Sequence, residues 1–340
     1  MKLSASLKRP LAIGVLTLVC VSLAALVWFA AQRDSRPLQL QSLRVAGPIL
    51  VTTALHQIAD ARGLWAEQGL AVEFIQTVTG KQAMELALEN KADIAYVAET
   101  PFVTDALQGG SIAALAMISE EAGSVKIVGR RDRGIQAPAD LAGKRVGVAQ
   151  GTSADYFLWA YLIGQKIDPN SVRKVHVAPD GMAGQLQRDA IDAVSVWEPY
   201  SGLIERELGS NGIAMEDVHV YLLTLIASAR SEWIGKNGPV VQKYLRALLA
   251  AEVFLRERPE QARRIVAERM GVAPETLDSS WRNNSFRVTL TQAHLIALEN
   301  VVHWAREAGL HSPVQQVNML RHLSVDGLLA VAPARVTVIH

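Results

Sequence analysis

Short apolar segments alternate with amphipathic ones from residue 43 to about residue 223, a pattern typical of an α/β sheet. Gly, Pro and polar residues separate the segments. Helical spacing of apolar residues predicts helices after most of the strands and a mostly helical chain beyond Lys236. The predicted strands cover residues 43–46, 70–75, 93–97, 112–118, 126–128, 144–149, 172–177, 191–196 and 218–223. The predicted helices include residues 52–65, 153–165, 182–188, 240–256, 259–270, 274–281, 291–307 and 314–320, with another starting at Gly80.

The N-terminal segment, residues 1–37, has a composition of its own. Residues 11–31 carry no charge, and a helix needs about 20 such residues to cross the hydrocarbon core of a membrane. Cleavage after Ala31 would place Phe29 where a signal peptide has a small residue. The pattern therefore favours an uncleaved membrane anchor over a cleaved signal peptide. Basic residues precede the apolar run, which predicts that the rest of the chain faces the periplasm.

Composition excludes several classes of function. The 340 residues carry a net charge of +1 without a basic stripe, which argues against nucleic-acid binding. The one cysteine, Cys20, lies in the N-terminal apolar run, so the rest of the chain has no disulfide and no thiol nucleophile. The histidines show no metal-binding spacing, and neither a G-x-S-x-G turn nor a metal-binding helix motif occurs. We therefore expect no enzyme activity, no metal and no cofactor.

A short internal repeat predicts two similar lobes. Leu43-Arg44-Val45 in the first half corresponds to Lys144-Arg145-Val146 in the second. Ala92-Asp93-Ile94-Ala95 followed by Glu99-Thr100-Pro101 corresponds to Ile191-Asp192-Ala193-Val194 followed by Glu198-Pro199. Each half thus contains a strand, a turn, a helix and a further strand in the same order.

The order of these motifs resembles a known family. Gly80-Lys81-Gln82 and Ala92-Asp93-Ile94-Ala95 resemble its first lobe, and residues 140–148, Gly151-Thr152-Ser153-Ala154 and Trp197-Glu198-Pro199-Tyr200 resemble its second. The chain is similar, over roughly residues 43–310, to the nitrate/sulfonate/taurine-type substrate-binding proteins of ABC transporters, which include binders of thiamine pyrimidine precursors. The resemblance implies a two-lobe periplasmic binding protein type II fold. Residues 43–128 and 225–340 would form lobe 1, residues 131–220 would form lobe 2, and the ligand would lie between them.

Candidate ligand-binding residues follow the ends of the predicted strands. Ligands of open α/β sheets bind beyond the carboxyl ends of strands, where helix N-termini favour an anionic group. Trp197 offers a flat apolar face, as Tyr96 and Phe102 would. An ordinary capped turn at residues 151–153 and a structural anchor at Glu198 are alternatives. The predicted ligand-binding residues are Pro48, Thr79, Gly80, Glu99, Thr100, Gly151, Thr152, Ser153, Asp180, Trp197 and Glu198.

The expected function is that of the extracytoplasmic solute-binding component of an ABC importer. Its partners would be the permease and ATPase subunits, and its N-terminal helix would hold it at the periplasmic face of the cytoplasmic membrane. Helix N-termini suit a small anion such as a sulfonate or nitrate, while the glutamates suit an amine, so a zwitterion such as taurine would use both. A binder of a thiamine pyrimidine precursor and a membrane-tethered ligand sensor remain alternatives.

Overall fold

The computed structural model describes residues 40–307 and 317–339. From Gln41 onward these residues belong to one compact unit. The predicted N-terminal helix at residues 11–31 lies outside the described residues. Among the described residues, none of the helices combines the length and the apolar character needed to cross a membrane.

Six strands form the first sheet, in the order β11-β4-β10-β3-β1-β2. The strand β1 runs parallel to both β2 and β3, whereas β10 runs antiparallel between β3 and β4. Helices cover this sheet, which explains the nearly continuous apolar character of its central strands. The strands are β1 Gln41–Gly47, β2 Leu70–Gln76, β3 Ile94–Ala98, β4 Ile112–Ala122, β10 Leu222–Arg230 and β11 Asn284–Ser285.

Five strands form the second sheet, in the order β7-β6-β8-β5-β9. The strand β6 is parallel to β7 and β8, and β5 is antiparallel to β8 and β9. Two clusters of buried apolar side chains pack around this sheet. The strands are β5 Val125–Arg130, β6 Arg145–Val148, β7 Arg173–His176, β8 Ala193–Trp197 and β9 Gly212–Met215.

The chain passes from the first sheet to the second between Ala122 and Val125, and returns between Met215 and Leu222. The expected lobe boundaries place the first passage later, between residues 128 and 131, in a polar segment that continues to Gly134. The strand β5, which precedes that segment, pairs with β8 and β9, so residues 126–128 belong to the second sheet rather than to lobe 1. The turn at residues 123–124 makes the earlier passage possible, since Gly123 adopts a left-handed φ of 68°.

Most helices follow the predicted pattern. The predicted helix at residues 274–281 is instead a 3₁₀ turn at Pro274–Leu277 followed by a short α-helix at Asp278–Arg282, and two others also differ. The first predicted helix, expected to reach Trp65, ends at Ala61, because Gly63 takes a left-handed φ of 69°. The predicted helix at residues 314–320 lies partly outside the described residues, and residues 319–322 form a 3₁₀ turn. The α-helices are α1 Ala54–Ala61, α2 Leu64–Glu67, α3 Gly80–Leu88, α4 Glu99–Leu107, α5 Ser153–Gly164, α6 Met182–Gln187, α7 Tyr200–Leu208, α8 Ser231–Lys236, α9 Gly238–Glu257, α10 Pro259–Met270, α11 Asp278–Arg282, α12 Gln292–Glu307 and α13 Asp326–Val331.

The internal repeat corresponds to the same ion pair in each sheet. Arg44 donates a bidentate pair of hydrogen bonds to Asp93, from Nε at 3.2 Å and from an Nη at 2.8 Å. Arg145 donates the same pair to Asp192, at 3.1 and 2.7 Å. Each aspartate also accepts the backbone N–H of its arginine. The forked guanidinium matches a carboxylate geometrically, so the repeated Arg and Asp join the first strand of each half to the third.

Candidate functional site

A cavity of about 180 Å³ lies between the two sheets. Residues from both sheets and from the helices near α10 and α11 line it. Its wall combines backbone at two helix N-termini, two cations, two carboxyl groups and a large apolar surface. The lining residues are Pro48, Leu50, Val51, Thr52, Val78, Thr79, Gly80, Lys81, Ala98, Pro101, Glu121, Ser124, Thr152, Ser153, Trp197, Glu198, Pro199, Gly202, Arg206, Leu223, Leu225, Met270, Val272, Thr276, Leu277, Ser279 and Ser280.

The first helix N-terminus at the cavity is that of α3. Thr79 caps it by accepting the Gln82 N–H at 3.1 Å, and the Gln82 side chain accepts the Thr79 N–H at 3.3 Å. A Cβ at Gly80 would lie 2.9 Å from the Tyr96 carbonyl oxygen, so only glycine lets this turn pack so closely on β3. The N–H groups of Gly80 and Lys81 have no hydrogen-bond partner in the described part of the chain.

The second helix N-terminus at the cavity, that of α5, comes from the opposite sheet. The Thr152 hydroxyl donates to the Ala149 carbonyl at 2.6 Å and therefore does not cap the helix. The N–H groups of Ser153 and Ala154 find no partner within residues 40–307 and 317–339. Free N–H groups and the helix dipole favour negative charge at both ends.

Lys81 reinforces this positive potential, and a second cation, Arg206, lies near Glu198. In the described ranges, neither Lys81 nor Arg206 forms an ion pair or a side-chain hydrogen bond. Lys81 stands at the start of α3 and reaches the opposite loop, where its Nζ lies 3.5 Å from the position that a Cβ on Gly151 would occupy. This lysine therefore sits beside both helix N-termini.

Glu198 and its neighbours form a charge network in the wall of the cavity. Lys126 lies 3.3 Å from Glu198 and 3.5 Å from both Glu205 and Glu216. Burial works against the charge of Lys126, but the three glutamates together raise its pKa. Glu198 is thus partly neutralised by a fixed lysine.

Glu121, at the end of β4, is a further carboxyl group in the wall and is not among the predicted ligand-binding residues. Its side chain is 4% exposed and accepts a hydrogen bond from the Ser280 hydroxyl. Burial raises its pKa to about 7, and the charge of Glu198 adds to the rise. The strand-end rule that selected the other candidates applies to Glu121 as well, because it follows the apolar run of β4 and precedes Gly123.

Trp197 and Ser124 add two buried donors to the wall. The Trp197 side chain is 7% exposed and packs in one of the apolar clusters around the second sheet, yet it also lines the cavity. Its Nε1–H and the Ser124 hydroxyl are buried, with no partner among the described residues. Buried polar atoms are normally hydrogen-bonded, so both atoms are suited to a ligand in the cavity.

The structure brings seven of the eleven predicted site residues together at the cavity: Pro48, Thr79, Gly80, Thr152, Ser153, Trp197 and Glu198. Ligand contact by these residues stays a prediction. Gly151 lies just outside the lining, beside Lys81, and Asp180 is exposed on a 3₁₀ turn away from it.

Glu99 and Thr100 lie beneath the cavity instead of lining it. The Glu99 carboxylate accepts hydrogen bonds from the Tyr221 hydroxyl, the Thr224 N–H at 2.9 Å and the Thr100 hydroxyl at 3.1 Å. The aromatic residues Tyr96 and Phe102, also expected at the ligand, are 0% and 1% exposed and belong to the apolar core around the first sheet. These four side chains point into the protein because the residues that surround them complete a buried network or an apolar core.

A family model described as NMT1/THI5 like matches residues 53–262. The chain belongs to the NMT1/THI5-like family. The resemblance predicted from the sequence motifs is therefore confirmed. A putative binding protein of Brucella abortus is 26% identical over 254 residues, which cover 72% of this NMT1/THI5-like chain and 76% of the relative. The taurine-binding periplasmic protein of Escherichia coli is 24% identical, with 68% of this chain and 70% of the relative covered.

Solved structures show the fold of this NMT1/THI5-like protein. The alkanesulfonate-binding protein SsuA of Xanthomonas axonopodis, bound to MOPS, gives a TM-score of 0.74 at 16% identity and covers 84% of this chain and 99% of its own. The fold is that of a periplasmic binding protein, as expected. The curated relatives are binding proteins and not enzymes. A TM-score of 0.62 with the desulfurization enzyme DszB shows that the fold also occurs in an enzyme, so the exclusion of an enzyme rests on the curated relatives.

Proposed function

We propose that this NMT1/THI5-like protein is the extracytoplasmic solute-binding component of an ABC importer, and that it captures a small sulfonate or a related anion between its two lobes. The observation that carries the proposal is the meeting of two helix N-termini from opposite sheets around Lys81. Gly80 and Lys81 offer free N–H groups on one side, and Ser153 and Ala154 offer them on the other. A compact anion with several oxygens can accept hydrogen bonds from both sides at once.

The relatives support the class of solute and the location. One is named as a taurine-binding periplasmic protein and another as a putative aliphatic sulfonates-binding protein. By this likeness we infer that the protein works in the periplasm with a permease and an ATPase. The uncharged run at residues 11–31, rather than any relative, is the reason to propose that it is held at the membrane. The two passages between the sheets, at residues 123–124 and 216–221, would serve as the hinge for closure around the solute.

The cavity also supports a thiamine pyrimidine precursor as a second candidate solute. The indole of Trp197 presents a flat face, and the carboxyl groups of Glu121 and Glu198 can accept hydrogen bonds from an exocyclic amino group. The positive region of the cavity at Lys81 favours the sulfonate.

A thermal-shift screen of the full chain in detergent tests the proposal. The panel contains taurine, alkanesulfonates, nitrate and an aminopyrimidine. A solute that binds only the folded state at a hundredfold excess over its dissociation constant stabilises the protein by about 2.7 kcal/mol, which appears as a higher melting temperature. We expect a sulfonate to give the largest shift. A panel in which no sulfonate raises the melting temperature contradicts the proposal.

A further inference from the structure

Glu121 differs from the other buried glutamates in how few partners it has. An ionised carboxylate has room for about four hydrogen bonds. Glu99 accepts three from the protein, and Glu252 accepts the Val288 N–H and pairs with Arg335. Glu121 accepts a single hydrogen bond, from the Ser280 hydroxyl, and no cation pairs with it in the described ranges.

The surroundings of Glu121 do not supply the missing partner. The charge of Glu198, which acts on Glu121, has the same sign, and Lys126 is already shared among three other glutamates. Burying a carboxyl group without a counter-charge is unfavourable. The unpaired carboxyl group lines the cavity, where a bound solute can reach it.

The wall of the cavity therefore combines a positive region with acceptor groups. Lys81 and the free N–H groups of α3 and α5 form the positive region. Glu121 and Glu198 are the acceptors, with Arg206 near Glu198 and the apolar side chains of Trp197 and Leu225 in the same wall. A solute that matches both features carries an anion and, a short apolar distance away, a hydrogen-donating cation.

We propose that Glu121 determines specificity by binding an ammonium group of the solute, so that the protein selects an aminosulfonate over a plain alkanesulfonate; the inference rests on the proposed function. The sulfonate lies at the helix N-termini, and the ammonium donates to the carboxyl oxygens of Glu121. Ser280 holds the carboxyl group in place by its hydrogen bond.

Two ligands of nearly equal size test this inference. 2-Aminoethanesulfonate and propane-1-sulfonate differ only in an ammonium in place of a methyl group. Calorimetric titration of the full chain should show the amine bound at least about tenfold more tightly, the effect of one hydrogen bond between charged groups. The variant Glu121→Gln keeps the size of the side chain and removes its charge. It should bring the two affinities within about threefold of each other, mainly through weaker binding of the amine.

Glu120→Gln is the matched control, because Glu120 lies on the same strand but pairs with His294 outside the cavity. This variant should keep the wild-type preference. If Glu121→Gln does not fold, Glu121→Asp withdraws the carboxylate by one methylene and should also reduce the preference.

Three outcomes overturn the inference in distinguishable ways. Equal or tighter binding of propane-1-sulfonate by the wild type excludes an ammonium site but leaves the proposed function intact. A preference that survives the Glu121 substitution assigns the ammonium site to another residue. Failure of both compounds to bind the wild type contradicts the proposed function and this inference together.

Discussion

Replacing Glu121 by glutamine should make the protein more stable at alkaline pH and almost unchanged at acidic pH. Burial raises the pKa of Glu121 from its ordinary 4.5 to about 7. The folded state therefore keeps a proton that the unfolded chain loses as the pH rises from 4.5 to 7, so this group lowers the stability of the wild type across that window. Glutamine occupies the same volume, can accept the hydrogen bond of Ser280 and does not titrate.

The expected magnitude follows from the two pKa values. At about 1.4 kcal/mol per pH unit, the rise from 4.5 to about 7 corresponds to about 3 kcal/mol when both transitions are complete. At pH 5 the unfolded glutamate is already partly ionised, so the stability difference between variant and wild type should grow by about 2.5 kcal/mol from pH 5 to pH 8.

Urea denaturation of the full chain, followed by tryptophan fluorescence at both pH values, measures this difference. Glu120→Gln serves as the control, because His294 holds the pKa of Glu120 below its ordinary value. That variant loses a favourable partner and should be no more stable than the wild type at pH 8. Parallel pH profiles for Glu121→Gln and wild type would refute the reasoning, since they would show that Glu121 ionises as readily in the folded as in the unfolded protein.

Two further predictions concern the positive region of the cavity and the N-terminus. Lys81→Met should weaken sulfonate binding by about tenfold or more and reduce the dependence of binding on salt. The control Lys91→Met, which removes an exposed lysine paired with Glu89, should change neither the affinity nor its salt dependence. Calorimetric titrations at two salt concentrations measure both quantities, and equal affinities for Lys81→Met and wild type would exclude Lys81 from the site. If residues 11–31 form an uncleaved anchor, membranes should retain the intact chain after salt and alkaline washing, whereas a mature N-terminus near Gln32 in a soluble periplasmic fraction would show cleavage.

The sequence predicted the parts of the site that depend on local pattern. Gly80 and Ser153 lie at the cavity because each follows a strand and begins a helix, and both features appear in a window of a few residues. The repeated Arg and Asp residues are also visible in the sequence as a short internal repeat, and their ion pairs explain that repeat.

The remaining parts depend on contacts between distant segments. Glu99 follows one strand of the first lobe and Glu121 lies at the end of another, so their sequence context does not distinguish them. Glu99 turns inward because Tyr221, 122 positions later, completes its hydrogen bonds. Glu121 faces the cavity beside Ser280, 159 positions later, which α11 carries to that wall. Trp197 shows the same dependence, since it belongs to the core and to the cavity at once.

A crystal structure of the protein with 2-aminoethanesulfonate tests the central claim most directly. It should show the sulfonate between the two sheets, with its oxygens within hydrogen-bond distance of the N–H groups of Gly80 or Lys81 on one side and of Ser153 or Ala154 on the other. A sulfonate bound elsewhere, or bound to one sheet alone, would contradict the account.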